Sequence, residues 1–349
     1  MRKLVSMLLA LTLMLAMVGA QAEEATSVNT VRIGALKGPT AMGMAQMMQS
    51  GEESGYQFTI AGAADELTAL LVKGELDAAA VPANLASVLY NNTKGGVQTA
   101  IINTLGVLYV LEAGDTVKSV SDLKGKTVYS TGKGTTPEFA LDYVLTQNGI
   151  DPDKDLTVEF KTEATELAAA LQSGETTLAV LPEPYVTTVL SSNENVRVAL
   201  SLNDEWNKVS ADSGMVTGVL VLRTEFAKDN PEAVAKLLSD YEASVNFVNA
   251  SPAEAAPIIE ANGVAKAAVA EKAIPNCNIV FISGDDMRVK LEGYLGVLFG
   301  MNPKAVGGNL PGDDFYYGAN GAAVPAEDGA ADEAADDAAA DAADEAPAA

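Results

Sequence analysis

The chain has no histidine and a single cysteine, Cys277, in 349 residues. The missing histidine removes the serine–histidine triad, histidine zinc sites and histidine general bases together. One cysteine excludes an intrachain disulfide and any thiolate cluster. Aromatic residues make up only 5% of the chain, and Trp206 is the one tryptophan. Basic residues are scarce: 22 Lys+Arg stand against 47 Asp+Glu, a formal net charge of −25. Such an acidic excess speaks against a nucleic-acid partner. What is present is 48% apolar residues, enough for real cores. The length predicts about two domains.

Residues 1–22 read as a secretory signal peptide. Arg2 and Lys3 open it, an apolar run broken only by Ser6 and Thr12 follows, and Ala20-Gln21-Ala22 forms a small-x-small cleavage site before Glu23. The run is shorter than the about 20 apolar residues of a membrane span. No cysteine lies near the cleavage site, so a lipid anchor is not expected. Export to the periplasm or cell envelope is the expected location. At the other end, residues 321–349 carry nine acids and no base. They offer too little apolar surface to fold and read as a disordered, Ala-rich acidic tail. A partner-binding role for that tail is the competing reading. Without the two basic residues of the leader and the nine acids of the tail, residues 23–320 still carry −18. That charge favours solubility and identifies no ligand.

The middle of the chain alternates strands and helices. Strands are predicted at 31–35, 57–61 and 77–81, with helices at 41–49 and 65–73 between them. The order restarts with strands at 127–131, 156–160 and 177–181 and helices at 137–147 and 163–172. A shift of 100 residues aligns 64–90 with 164–190, with nine of 27 positions identical, including Glu66/Glu166, Gly74/Gly174 and Pro82/Pro182. The predicted fold is α/β: two similar lobes with mostly parallel sheets. Apolar strands at 104–111 and 215–222 are expected to cross between them as a two-stranded hinge. Residues 23–108 and 217–320 then form a discontinuous first lobe and 109–216 the second, with helices through Phe299 packing back on the first.

In open parallel sheets, ligands sit beyond the carboxyl ends of the strands. Four such ends are readable, at 37–41, 81–84, 132–136 and 181–185, and lobes that face each other would bring them to one cleft. Thr136 fits a helix N-cap and Pro137 the first helical position. The free amides there suit an anion, with Gly134, Thr135 and Lys133 in the same turn. Thr40 can cap a helix at Ala41, with Lys37 and Gly38 beside it. Simple capping explains these threonines equally well, and both lysines fit a solvated rim. Gly132-Lys133-Gly134 is no dinucleotide fingerprint, because Pro137 takes the place of the third glycine, and no P-loop, because Gly134 follows the lysine. Glu183 can accept from a ligand amine and Tyr185 can stack or donate; a turn with an exposed acid is the plainer reading. Asn84 is the counterpart in the first lobe. Trp206 serves either as a ligand stack or as packing, Met42 as core or as a cleft contact, and Cys277 reads as an inert buried thiol. No metal or cofactor is expected.

LKGPTAMG at 36–43, ELTALLVKGELDAAAVPAN at 66–84, DLKGK at 122–126, GKGTTPEF at 132–139, GIDP at 149–152 and Asn230-Pro231-Glu232 together resemble the bacterial ABC-transporter solute-binding proteins of the type II periplasmic fold. Within them, the sulfonate, nitrate and thiamine-precursor branch is the most similar. The resemblance spans about residues 31–311 and rests on the order of the pieces more than on any one. It implies two lobes closing over a small solute, docking on a membrane permease, and ligand contacts at the turns holding Thr40, Asn84, Thr135 and Glu183. Two features depart from it. The chain lacks the lipidated cysteine of many Gram-positive members, and it lacks the histidines of the fungal thiamine-pyrimidine synthase relatives. The second departure favours carriage over synthesis.

Three functions compete. A transport binding protein, expected to be a monomer, would close by hinge motion on its solute. An enzyme on the same fold would use acids such as Glu138 and Glu183. A sensory or scaffold protein would work through its acidic tail. The threonine turns favour a sulfonate, carboxylate or similar anion; Glu183, Tyr185 and Trp206 favour an aminopyrimidine or another cationic ring.

Overall fold

A computed structural model describes residues 30–210 and 213–319. The expected leader and acidic tail lie outside the described residues. The chain opens with β1 (Val31–Leu36), α1 (Pro39–Met42), α2 (Ala45–Gln49), β2 (Tyr56–Ala61), α3 (Ala64–Val72), β3 (Ala78–Pro82), α4 (Ala83–Thr93) and β4 (Val97–Leu105). It continues with β5 (Leu108–Ala113), β6 (Thr127–Ser130), α5 (Thr136–Gln147), β7 (Thr157–Phe160), α6 (Ala164–Ser173), β8 (Leu178–Pro182), α7 (Tyr185–Ser192), β9 (Val196–Ser201) and α8 (Leu202–Val209). It closes with β10 (Val216–Arg223), α9 (Thr224–Asp229), α10 (Pro231–Ala250), α11 (Pro252–Ala261), α12 (Ala267–Ala273), β11 (Ile279–Ser283) and α13 (Gly284–Met301).

The strands form two sheets, ordered β11-β4-β10-β3-β1-β2 and β7-β6-β8-β5-β9. The internal repeat is structural: β3 and β8 start and end 100 residues apart, and α3 and α6 both begin 100 residues apart, at Ala64 and Ala164. Both sheets are mixed rather than mostly parallel. Parallel pairing is confined to β2-β1-β3 and to β7-β6-β8. The reason lies in the crossings. β5 and β10 each start where the chain passes between lobes and run back from there, so they meet β8 and β3 antiparallel.

Local residues explain the close packing around β1. Leu67 and Leu76 lie so near Gly34 that an added Cβ would stand 2.8 and 2.7 Å from them. The small residues Ala78, Ala79 and Ala80 of β3 are fully buried, as is Val81. At the start of that strand Asp77 is buried and holds Arg32 through two side-chain bonds of 2.9 and 2.6 Å. Burial works to raise this carboxyl, but the Arg32 hydrogen bonds outweigh it and hold the group below its ordinary value. Lobe two repeats the device: buried Glu112 accepts from Arg197 at 2.6 Å and from the backbone of Thr116 and Val117.

Four local expectations are corrected. The helix expected over 41–49 is split into α1 and α2, because the backbone leaves helical geometry at Met44, with ψ 8°, just after Gly43 packs against Ile279. The strand expected over 104–111 is two strands in different sheets, parted at Gly106 and Val107. The second crossing comes ahead of β10, which lies wholly in the first sheet. The two passages still run side by side, since Leu105 pairs with Val216. β11 was read as part of a helical stretch; its partner β4 lies far away in sequence, which local periodicity does not register.

At Gly106 the crossing is wedged. Asn278 Nδ2 donates to its carbonyl from the first lobe. From α8 of the second, Asn203 approaches so closely that a Cβ on residue 106 would stand 2.7 Å from the Asn203 Cβ. Gly106→Ala is therefore expected to cost about 1–3 kcal/mol of stability, read as a lower melting temperature or denaturant midpoint, because the clash is with the root of a side chain rather than its mobile end. Asp142 on α5 supplies a second test. Burial, reinforced by Glu138 and Asp153, raises its carboxyl to about 7. Folding thus disfavours its ionised form, and the associated stability is lost as pH rises from the ordinary carboxylate range through 7. Asp142→Asn is expected to raise stability by about 1 kcal/mol at pH 8, after allowance for partial exposure, and to lose that advantage near pH 4 in a melting series.

Candidate functional site

The strand ends converge on a cleft of ≈ 430 Å³ lined from both lobes. The first lobe brings Lys37, Pro39 and Thr40 after β1, residues 62–65 after β2, Pro82 of β3, and Thr104 and Thr217 from β4 and β10. The second brings Thr131–Lys133 and Thr135–Pro137 after β6, residues 160–164 around the end of β7, and Pro182, Glu183 and Tyr185 after β8. The walls are largely apolar, with Leu36, Leu108 and Phe160 among them.

Six of the ten residues singled out in the sequence line this cleft: Lys37, Thr40, Thr135, Thr136, Glu183 and Tyr185. The other four stand elsewhere. Gly38, at φ 132°, makes the turn before α1 and passes close to the Glu183 carbonyl. Ala41 is fully buried in the core beneath that turn. Gly134 gives its N–H to Glu138 and its carbonyl to Asn84. Asn84 is fully buried; its Nδ2 donates to the Gly134 carbonyl at 3.2 Å and to the Ala305 carbonyl at 3.0 Å, tying the first lobe to the second.

The two predicted helix starts are each one or two residues off. Thr135, not Thr136, is the N-cap of α5, and its hydroxyl turns back to the Gly132 carbonyl at 2.6 Å. The first amides of α5 therefore have no side-chain cap. Thr136 sits inside the first turn, buried, with a hydroxyl that finds no well-formed hydrogen bond. Gly38 caps α1, and Thr40 lies inside it, its hydroxyl bonded to the Leu36 carbonyl at 3.0 Å and its methyl packed against Gly218. The loop geometry wins over the threonine side chains in both turns.

Charge in the cleft is mixed. Lys37 and Lys133 make no ion pair among the described residues, and Lys133 lies 5.7 Å from the centre of the Phe160 ring. Lys161 is shared between Glu166 and Glu175, 3.4 Å from each. The Glu183 carboxylate is only 3% exposed. It accepts from the Thr187 backbone N–H and from the Thr187 hydroxyl, both at 3.1 Å, and so caps the start of α7. Burial raises its carboxyl, and these two bonds partly oppose that.

Neither Trp206 nor Met42 reaches the cleft; both are fully buried. Cys277 lies 4.0 Å from the Met42 sulfur, and burial pushes its thiol well up. The residues that the sequence reading missed are Phe160, Lys161, Glu163 and the 62–65 turn. They stand at the ends of β2 and β7, where the same strand-end rule would have found them. Among the described residues, no group of three acidic or cysteine side chains is placed to hold a metal, and no helix is long and apolar enough to cross a membrane.

Solved structures share this architecture. An ABC transporter protein from Parabacteroides distasonis is 24% identical, with 82% of this chain and 98% of that one covered at a TM-score of 0.69. The periplasmic aliphatic sulphonate binding protein of Escherichia coli is 17% identical over 79% of this chain and 93% of its own, at 0.63. The periplasmic nitrate-binding protein of Synechocystis PCC 6803 is 14% identical over 67% and 66%, at 0.53. No curated protein matches the chain in sequence. These likenesses establish the two-lobed periplasmic binding protein fold. The sequence matches the NMT1-like family over residues 28–262, and the chain belongs to that family.

Proposed function

We propose that the chain is the extracytoplasmic solute-binding component of an ABC importer, carrying a small organic anion with an apolar body to a membrane permease. The observation that carries this reading is the cleft itself. Its ≈ 430 Å³ lies between two lobes and takes its lining from both, so a solute held there favours their closed arrangement. The domain division, shifted from 108/109 and 216/217 to the crossings at Gly106–Val107 and just before Val216, and the site set Lys37, Thr40, Thr135, Thr136, Glu183 and Tyr185 belong to this proposal. The solved relatives named for sulphonate and nitrate lend it support.

Two features favour an anion over a cationic ring. Lys37 and Lys133 make no ion pair among the described residues, and the first turn of α5, without a side-chain cap, offers backbone amides beside Lys133. Of the three features that spoke for an aminopyrimidine, only Tyr185 remains available in the cleft; the other two are engaged elsewhere. Both Glu183 oxygens bind Thr187, and Trp206 is buried outside the cleft. The walls of Leu108, Phe160 and Pro182 suit a hydrocarbon portion.

We assign no reaction to the site. Glu138 is bound to the Gly134 N–H and Glu183 caps α7, so the two acids on which acid/base work would rest serve the fold.

A melting-temperature screen of residues 23–349 against alkyl and aryl sulfonates, carboxylates, nitrate, aminopyrimidines and amino acids tests the proposal. A solute at about 100 times its dissociation constant adds about 2.7 kcal/mol of stability. Organic anions are expected to give the largest shifts, and Lys133→Met is expected to weaken the best of them about tenfold by calorimetry, the value of one charge-assisted contact. Stabilisation by aminopyrimidines alone would overturn the anion assignment. Removal of residues 321–349 is expected to leave that affinity unchanged; a loss would favour the reading in which the tail carries the function.

A further inference from the structure

We infer that Tyr143, Trp206 and Tyr294 form a latch across the lobe boundary that holds the two lobes together independently of any solute. Tyr143 and Trp206 come from the second lobe, on α5 and α8; Tyr294 comes from the first, on α13. The Trp206 ring centre lies 4.3 Å from that of Tyr143 and 5.5 Å from that of Tyr294, at tilts of 43° and 41°. These are attractive separations for aromatic rings. Trp206 and Tyr294 are fully buried and Tyr143 is 8% exposed. The indole N–H is satisfied by the Ser213 carbonyl at 2.7 Å, so the ring is oriented as well as buried.

Any lobe movement about the Gly106 crossing that parts α13 from α5 and α8 must separate these rings. The tyrosine and tryptophan faces are then exposed to water, which the hydrophobic effect opposes. The Asn84 bond to the Gly134 carbonyl lies on the same boundary and would break with them.

The latch also reaches the cleft. α5 carries Tyr143 in the latch and Thr136 in the cleft lining, and the Tyr294 hydroxyl lies against Thr136 without a well-formed hydrogen bond. On the reading that the cleft takes a solute, the latch fixes how much of the protein is already closed, and apparent affinity scales with that fraction. Tyr294 and Trp206 are thus positioning residues, outside the cleft lining.

Trp206, as the one tryptophan, reports the latch directly. The test uses residues 23–349 with no solute added, and reads acrylamide quenching of Trp206 together with small-angle X-ray scattering. Wild-type Trp206 is expected to be quenched at least about fivefold less than free tryptophan. Tyr294→Ala is expected to raise quenching about threefold and to enlarge the radius of gyration, while melting stays cooperative. Tyr294→Phe keeps the ring and is expected to match wild type in both. Where Tyr294→Ala does not fold, Tyr294→Leu takes its place with the same expectation. Wild-type quenching near that of free tryptophan overturns the latch. So does an alanine or leucine variant whose quenching and radius equal those of wild type. Because no solute enters these measurements, failure of the transport reading and failure of the latch are read separately.

Discussion

The passage of the chain at Gly106 is the constraint on which the two-lobed arrangement rests. Backbone from the first sheet ends at Leu105 and backbone of the second begins at Leu108. Between them the chain is held from one lobe by Asn278 and pressed from the other by Asn203, with no room for a side chain. The return passage is tied to it through the Leu105–Val216 pair. With both crossings side by side, the carboxyl ends of β1, β2 and β3 face those of β6, β7 and β8. The cleft is a consequence of that placement.

The far ends of the sheets are pinned by charge and the near ends are left for chemistry. Asp77 with Arg32, and Glu112 with Arg197, join a buried carboxylate to a partly exposed guanidinium, each carboxylate supported by backbone N–H donors. Removing one partner of such a pair strands a buried charge, so each fixes its strand firmly. At the cleft, Lys37 and Lys133 make no such pair among the described residues, in a chain whose net charge is −25. Beside Asp65, Glu163 and Glu183 the cleft lining holds three lysines, Lys37, Lys133 and Lys161, a balance that the acidic chain as a whole does not have. Glu183 does not cancel them in the same way, because its oxygens are turned into the first turn of α7.

The repeat and the strand-end rule carried the sequence reading far. Gly74 and Gly174 end matching helices, and Pro82 and Pro182 end matching strands; those short-range signals survive intact in the structure. The same logic brought six of ten site residues to the cleft. It failed where a residue's role depends on distant backbone. Asn84 occupies a strand end by sequence, yet its amide is drawn to Gly134 and Ala305, 50 and 221 residues away. Thr136 reads as a cap, but the loop from Gly132 makes Thr135 the cap and leaves Thr136 buried. Trp206 shares the one apolar face of a polar helix with Leu202 and Val209, a pattern that predicts burial but not the partners, because Tyr143 and Tyr294 lie on two other helices.

Sequence alone determined the α/β class, the duplication, the absence of histidine and disulfide chemistry, and the turns able to face a ligand. Each of these is a property of composition or of neighbours a few positions apart, where helix and strand periods and turn residues act. Only the tertiary structure decided the mixed direction of the sheets, the break at Gly106, which side chains line the cleft, and the aromatic contact between lobes. Those depend on pairings over tens to hundreds of residues. No local pattern encodes them, because the same apolar strand or buried tyrosine is compatible with many partners until packing and buried hydrogen bonds select one.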